Sequence, residues 1–403
     1  MEMFSKRRGQ LLYFSTIVFS IYKQMKKNII FISFLLFLFF ACSDKSQKVN
    51  NESPILLKVG QKADKTQLFK EYFELETIIP IETTDEFLMG DGIRRVLSYK
   101  DKLIILDWRS AIFVVDYATG KIDTYIHRIG VGPGESKLIK DISFDEHSET
   151  ILAFNDYQNL LFFNIRGNFI KQEKLNKSYD NIVFDNGNVL FYNEGEGYSC
   201  YPYFIDKYNL QNKSWEKIGR NDRLDFPMRL YGRHLVKSKS IWIGTPFDFD
   251  LYKYNNSKME SIYKLDPALP RITKEEMILA TTDPRKFSDV RETSMYGIGA
   301  IRETEHYLIF ISSGRGFFIM NKETNEIHWE NFLNETSLGL MLLNYFSHDG
   351  DDNRIMFFVR PSEWLRRNKD ANMDNLPAAL REKINSFKID EEDNPILIFY
   401  REK

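Results

Sequence analysis

Along most of this chain, short apolar runs alternate with clusters of Gly, Asn, Asp and Lys, the pattern of strands separated by turns. Six of the runs are alike: LIILD from Leu103, ILAFND from Ile151, VLFYN from Val189, IWIGT from Ile241, YLIFIS from Tyr307 and IMFFV from Ile355. Their starts are 48, 38, 52, 66 and 48 residues apart. Five are followed by a segment that crosses a tight turn: FVVDYATGKIDTY, LFFNIRGNFIKQE, YFIDKYNLQNKSW, LYKYNNSKMESIY and FFIMNKETNEIHW. Each reads as a hairpin, because Gly, Asn and Lys tolerate positive φ or solvent at its tip. A period near 50 residues with about four short strands is that of a β-propeller blade. Residues 73–403 supply 331 residues, enough for six. The pattern therefore predicts an all-β fold over residues 71–403, a six-bladed β-propeller with short helical insertions. A β-sandwich needs no fixed period, and the coils of a parallel β-helix are shorter.

Two segments depart from strand periodicity. Thr273 and Glu276 form the ends of a capping box that opens ITKEEMILA, so a short helix is expected inside the longest step. Ser362–Phe387 reads as a second helical stretch within the last blade. The body begins with FELETIIPIET (Phe73–Thr83) and ends with NPILIFYRE (Asn394–Glu402). Pairing these two strands in one blade closes the ring and leaves no open edge, with Phe73–Thr83 outermost.

The N-terminal region carries a different signal. Lys26 and Lys27 precede an apolar run of thirteen residues, Ile29–Ala41, broken only by Ser33 and followed by Cys42. A bilayer span needs about 20 apolar residues, whereas this length suits the core of an export signal. Residues 25–41 are thus expected to be a signal peptide, with lipid attachment at Cys42. Residues 42–70 then form a polar tether, unless Ile55–Val59 is a strand of the fold. Residues 1–24 repeat a basic cluster and an apolar run, which a start at Met25 explains as a misassigned start site.

Composition narrows the function. From Cys42 onward there are 49 basic and 56 acidic residues, a formal charge of −7 with no basic block, which argues against nucleic acid as a partner. Cys200 is the only other cysteine, and no Cys/His spacing fits a zinc site.

The segments IIPIETT, Gly130–Glu135 (GVGPGE), FVVDYATGK and DNPILIFY together resemble the six-bladed β-propeller lipoproteins of Bacteroidota, related to NHL-type propellers. That resemblance implies an exported, lipid-anchored body on the outer membrane or a periplasmic face. It implies no activity.

Gly130–Glu135 invites a phosphate-loop reading, yet no P-loop Lys-Ser/Thr completes it and no helix follows. It suits a tight crossing between blades. The second strands end at Trp108 and Arg109, Asp156 and Tyr157, Glu194, Asp248, Arg315 and Arg360, so charged and aromatic residues recur at one loop. These are the candidate ligand-binding residues, with Trp108 and Tyr157 stacking on a ligand. Solvated loops are polar in any case. The Tyr198, Tyr201, Tyr203, Phe204 cluster is explained by strand alternation. Glu194, Asn155 and Asp156 imitate the ligands of a channel calcium, without a spacing to support it. No acid pair of a glycosidase stands out, and no histidine adjoins a nucleophile elbow. No cofactor is expected, calcium being the one metal considered. The leading expectation is a non-catalytic, monomeric binding or scaffold module of the envelope, taking a carbohydrate, peptide or protein partner. The alternatives are a channel-metal hydrolase or lactonase, and a sensor, though no kinase or DNA-binding segment is fused.

Overall fold

The computed structural model describes residues 53–58, 68–90, 92–192, 202–220, 233–245, 249–266, 271–273, 275–276, 278–279, 283, 285, 294–295, 297–312, 316–330, 333–335, 337–338, 340–342, 345–346, 348–350, 353–368 and 371–403. Two strands precede the first blade, β1 (Ile55–Leu57) and β2 (Phe73–Pro80). Blade one contains β3 (Ile93–Tyr99), β4 (Lys102–Asp107), β5 (Ile112–Asp116) and β6 (Ile122–Ile126). Blade two contains β7 (Ile139–Asp145), β8 (Thr150–Asn155), β9 (Asn159–Asn164) and β10 (Phe169–Lys174). Blade three contains β11 (Asn181–Asp185), β12 (Asn188–Tyr192), β13 (Tyr203–Asn209) and β14 (Trp215–Arg220). Blade four contains β15 (Leu235–Lys237), β16 (Ile241–Ile243), β17 (Asp250–Asn255) and β18 (Lys258–Leu265). Blade five contains β19 (Ile298–Glu303), β20 (Tyr307–Ser312), β21 (Gly316–Asn321) and β22 (Ile327–Glu330). A small hairpin, β23 (Leu333–Glu335) and β24 (Leu340–Leu342), leads to the last blade. There β25 (Tyr345–Phe346), β26 (Arg354–Val359) and β27 (Ile396–Glu402) are joined by β2, in the order β2-β27-β26-β25. The architecture is a six-bladed propeller.

All six apolar runs fall on the second strand of a blade, and side-chain alternation explains why they are continuous. In β4, Leu103 and Ile105 pack towards blade six while Ile104 and Leu106 pack towards blade two. In β8, Ile151 and Ala153 face blade one and Leu152 and Phe154 face blade three. Strands buried on both faces read as unbroken apolar sequence. Six apolar clusters result, one in each interface between neighbouring blades. Outer strands such as β10 are mostly exposed on both faces and correspondingly polar.

The ring closes as expected. β2 pairs antiparallel with β27 from Phe73 opposite Glu402 to Pro80 opposite Ile396. Of the two readings for Ile55–Val59, the strand is realised over Ile55–Leu57, which runs parallel to β18 as a fifth strand of blade four. The body therefore begins earlier than residue 71. Phe69, on the short helix Leu68–Tyr72, also packs into its core. The capping box is present: Thr273 N donates to Glu276 Oε2 at 2.7 Å, and Glu276 N donates to Thr273 Oγ1 at 3.2 Å. The second insertion forms helices Pro361–Arg367 and Ala378–Asn385, which bury Trp364, Leu380 and Ile384 against blade six.

A polar clasp joins blades five and six. The Glu402 carboxylate accepts from the backbone N–H groups of Glu305 and His306, at 3.1 and 3.2 Å, and pairs with His306 Nδ1. The hydrogen bond to Glu402 raises the His306 pKa above 6.5. Burial pushes the Glu402 carboxyl up, but hydrogen bonds from Thr304 and His306 bring it below 4.5.

Deleting residues 395–403 removes the buried Ile396–Tyr400 and reopens the ring. The expected result is loss of the cooperative thermal transition of the whole body; a soluble truncation with an unchanged melt would refute closure by this pair. The clasp also makes a pH prediction. The raised His306 contributes stability below pH 6.5 that is lost as pH rises through its folded pKa. The lowered Glu402 contributes above pH 4.5 and loses it as pH falls through its own. The melting-temperature difference between wild type and His306→Gln should therefore peak between pH 4.5 and 6.5 and shrink on either side.

Candidate functional site

Connectivity divides the propeller into two faces. The loops between second and third strands share an upper face with the connections from one blade to the next, and the remaining hairpin turns form the lower face. In blade one the upper loop is built around Asp107, which is fully buried. Its Oδ1 accepts from Ala111 N at 2.7 Å and its Oδ2 from Gly90 N at 2.8 Å. Burial raises the Asp107 pKa, and these N–H groups act against the rise. The carboxylate thus holds its own turn and the connection arriving from blade six. Asn394 secures that connection from the other side, accepting from Met89 N at 2.7 Å and donating to the carbonyls of Glu82 and Phe87 at 2.6 and 2.8 Å.

Blade two repeats the turn. Asn155 Oδ1 accepts from Asn159 N at 2.8 Å, as Asp107 does from Ala111. Trp108 N donates to Gly92 O at 3.2 Å, and Asp156 N donates to Leu138 O at 3.0 Å. Ser110 and Gln158 both have positive φ, 70° and 59°. Trp108 and Arg109 are therefore the counterparts of Asp156 and Tyr157. Asn155 serves the turn, and its carbonyl oxygen is engaged there.

Of the candidate ligand-binding residues, the structure brings Trp108 and Arg109 together in one exposed turn. Trp108 is 55% exposed. The Arg109 stem lies against Gly90, where a Cβ would come within 2.5 Å of Arg109 Cγ. Asp156 and Tyr157 are half-buried; Ser136 Oγ donates to Asp156 Oδ1 at 3.4 Å, and Lys174 Nζ donates to the Tyr157 carbonyl. Arg360 is exposed and opens the helix Pro361–Arg367, its carbonyl accepting from Trp364 N at 2.9 Å. Cys42, Glu194, Asp248 and Arg315 lie outside the described residues, as do Tyr198 and Tyr201. Phe204 is core, in keeping with strand alternation.

Gly130–Glu135 is the expected crossing between blades one and two. Gly132 N donates to Glu135 Oε2 at 2.9 Å, and Gly134 N donates to Gln172 Oε1 at 3.2 Å. Those N–H groups are taken by protein oxygens, which removes the phosphate-cradle reading. Gly134 has φ +75°, and a Cβ there would sit 2.6 Å from the Phe169 ring. Ile129 and Val131 on this loop are 66% and 79% exposed. Next to them, the Phe87 ring lies 5.7 Å from Tyr125, whose hydroxyl hydrogen-bonds His127 Nδ1 at 2.9 Å.

The channel holds a group that sequence reasoning missed. Arg95 on β3 is fully buried. Its guanidinium pairs with Asp141 on β7 at 3.0 Å and with Asp349. Asp349 belongs to a segment that bridges distant blades, with Ser98 N donating to its carbonyl at 2.7 Å and Gly350 N donating to Lys237 O at 3.0 Å. Arg302, also fully buried, donates from Nη1 to the carbonyls of Gly350 and His348 at 2.7 and 3.2 Å. Burial pushes the Asp141 carboxyl above its ordinary value, against the pull of Arg95 and Arg233. Among the described residues, the carboxylates Asp141 and Asp349 are thus each ion-paired with Arg95. Among the described residues no group of three or more His, Cys, Asp or Glu is placed to hold a metal ion. The signal for this centre was an Arg in the first strand of a blade, but its partners lie 46 and 254 residues away.

Removing one member of a buried ion group leaves the others uncompensated, which costs about 3–5 kcal/mol. Arg95→Met should lower the unfolding free energy by that amount in urea titrations. A loss under about 1 kcal/mol would mean that the group contributes no more than an exposed pair.

One similar structure agrees with this fold. A solved structure of a protein named as exported, from Bacteroides fragilis NCTC 9343, superposes with a TM-score of 0.69 at 16% sequence identity, covering 86% of this chain and 99% of that one. A DUF4221 family member from Bacteroides vulgatus ATCC 8482 superposes with a TM-score of 0.48 at 10% identity, over 82% of this chain and 97% of the other. No protein of curated function matches the sequence. The family described as Domain of unknown function (DUF4934) matches residues 55–401, nearly the whole described body, and the chain belongs to that family.

Proposed function

We propose that this protein is a binding module of the cell envelope, anchored by lipid at Cys42, whose upper face takes up an envelope protein or glycan. The observation that carries this reading is the unequal exposure of large apolar side chains on the two faces. Leu88, Trp108, Ile129, Val131, Ile278 and Leu279 are all more than 40% exposed, and all lie on upper loops or connections. The other such residues among those described lie on strands at the rim: Ile55 and Leu56 on β1, Ile170 on β10 and Trp215 on β14. None lies in a lower turn. Exposed apolar groups on the upper face and not in the lower turns, with Arg and aromatic residues among them, are the composition of a binding surface. The envelope address is supported by the signal-like stretch Met25–Cys42 and by the exported relative of the same fold. A scaffold role in place of catalysis is supported by the engagement of the channel carboxylates with Arg95.

A photo-crosslinking amino acid at Val131, compared with one at the exposed lower-turn Ala118, tests the reading in cells. Discrete adducts from position 131 and none from 118 are expected. Equal labelling from both positions, or none from 131, would overturn it.

A further inference from the structure

The upper face carries a guanidinium with most of its hydrogen-bond donors unused among the described residues. Arg94 is the second residue of β3, beside the channel mouth, and is half-buried. Its Nη1 donates to Ile139 O at 2.6 Å, and its guanidinium lies 4.5 Å from the centre of the Trp108 ring. No carboxylate among the described residues pairs with it. Asp107 has both oxygens engaged by Gly90 and Ala111, and Asp141 is held by Arg95. A guanidinium has five N–H donors, so most of those on Arg94 remain available at a place where burial disfavours an unpaired charge. Burial lowers its pKa from the usual arginine value, against the charges of Asp141 and Asp107, neither of which hydrogen-bonds to it. Arg109 follows Trp108 in the same turn, exposed and without a carboxylate partner among the described residues, its stem fixed against Gly90.

We propose that Arg94, Trp108 and Arg109 form a site for an anionic sugar ring, a pyranose bearing a carboxylate or a sulfate. The inference rests on the upper face being the binding surface and gives the chemistry of what binds there. Arg94 lies over one face of the indole, and the rest of this 55% exposed side chain offers a flat surface for the C–H face of the ring, with guanidinium donors at hand for the acidic group. An Asp or Glu side chain would satisfy the guanidinium but leave the indole uncovered. A neutral sugar would cover the indole and leave the remaining Arg94 donors without an anionic acceptor.

The test is calorimetric titration of the full chain in detergent with oligogalacturonate, dextran sulfate, neutral dextran and poly-glutamate. Binding of oligogalacturonate or dextran sulfate, weakened by salt and without binding of dextran, is expected; which of the two binds identifies the acid. Trp108→Ala, Arg94→Gln and Arg109→Gln should each weaken it by about tenfold or more. Arg109 is exposed, so its variant carries the test should Arg94→Gln fail to fold. Failure of both anionic glycans, or equal binding of dextran, would overturn the proposal. So would poly-glutamate binding that Trp108→Ala leaves unchanged, which would point to an acidic peptide. If no sugar binds while adducts from position 131 persist, the anionic-sugar site falls and the binding face stands.

Discussion

Every blade of this protein is buried on both sides, and that single constraint organises the rest. A sheet covered on one face alternates apolar and polar residues; a sheet covered on both cannot. The chain answers with second strands such as Leu103–Leu106, whose odd and even positions serve different neighbours. Two-sided burial also requires a ring. An open array would leave one blade with a bare apolar face, so β2 must return to β27. Among the described residues helices lie before or between strands, because a helix in place of a blade strand would break the contact surface that its neighbours need.

The same constraint shapes the centre. First strands line it, and they carry the buried Arg95, Asp141 and Arg302. A charged group is tolerated on the axis when its partners come from several blades at once, as Asp141 and Asp349 do for Arg95. The arrangement adds long-range order to a fold whose apolar contacts otherwise link only adjacent blades.

These two layers differ in how much of them can be read from sequence. Second strands and their hairpins were legible because their burial is local and periodic. Fourth strands were less so: β10, FIKQEK, is a rim strand whose exposure erases alternation. β1 has three residues and one buried position, Leu57, so it could not be told from a tether. The pairs Trp108–Arg109 and Asp156–Tyr157 were legible as equivalent loop positions, since Asp107 and Asn155 mark the same turn. Their environments were not. Arg94 comes from another strand, Gly90 from the connection before it, and Asn394, which binds Met89 in that connection, lies 305 residues beyond Met89. Contacts of that range leave no spacing in the sequence.

The parallel pairing of β1 with β18 has a mechanical consequence. Only three residue pairs join this strand to blade four, whereas β2 is held by seven pairs inside blade six. Tension arriving through the residues before Ser53 meets β1 first. The short strand can peel away and release slack while the ring stays shut, so the body behaves as though fitted with a breakaway link. A pull from the N-terminal side would shed load there before the blades lost their shape.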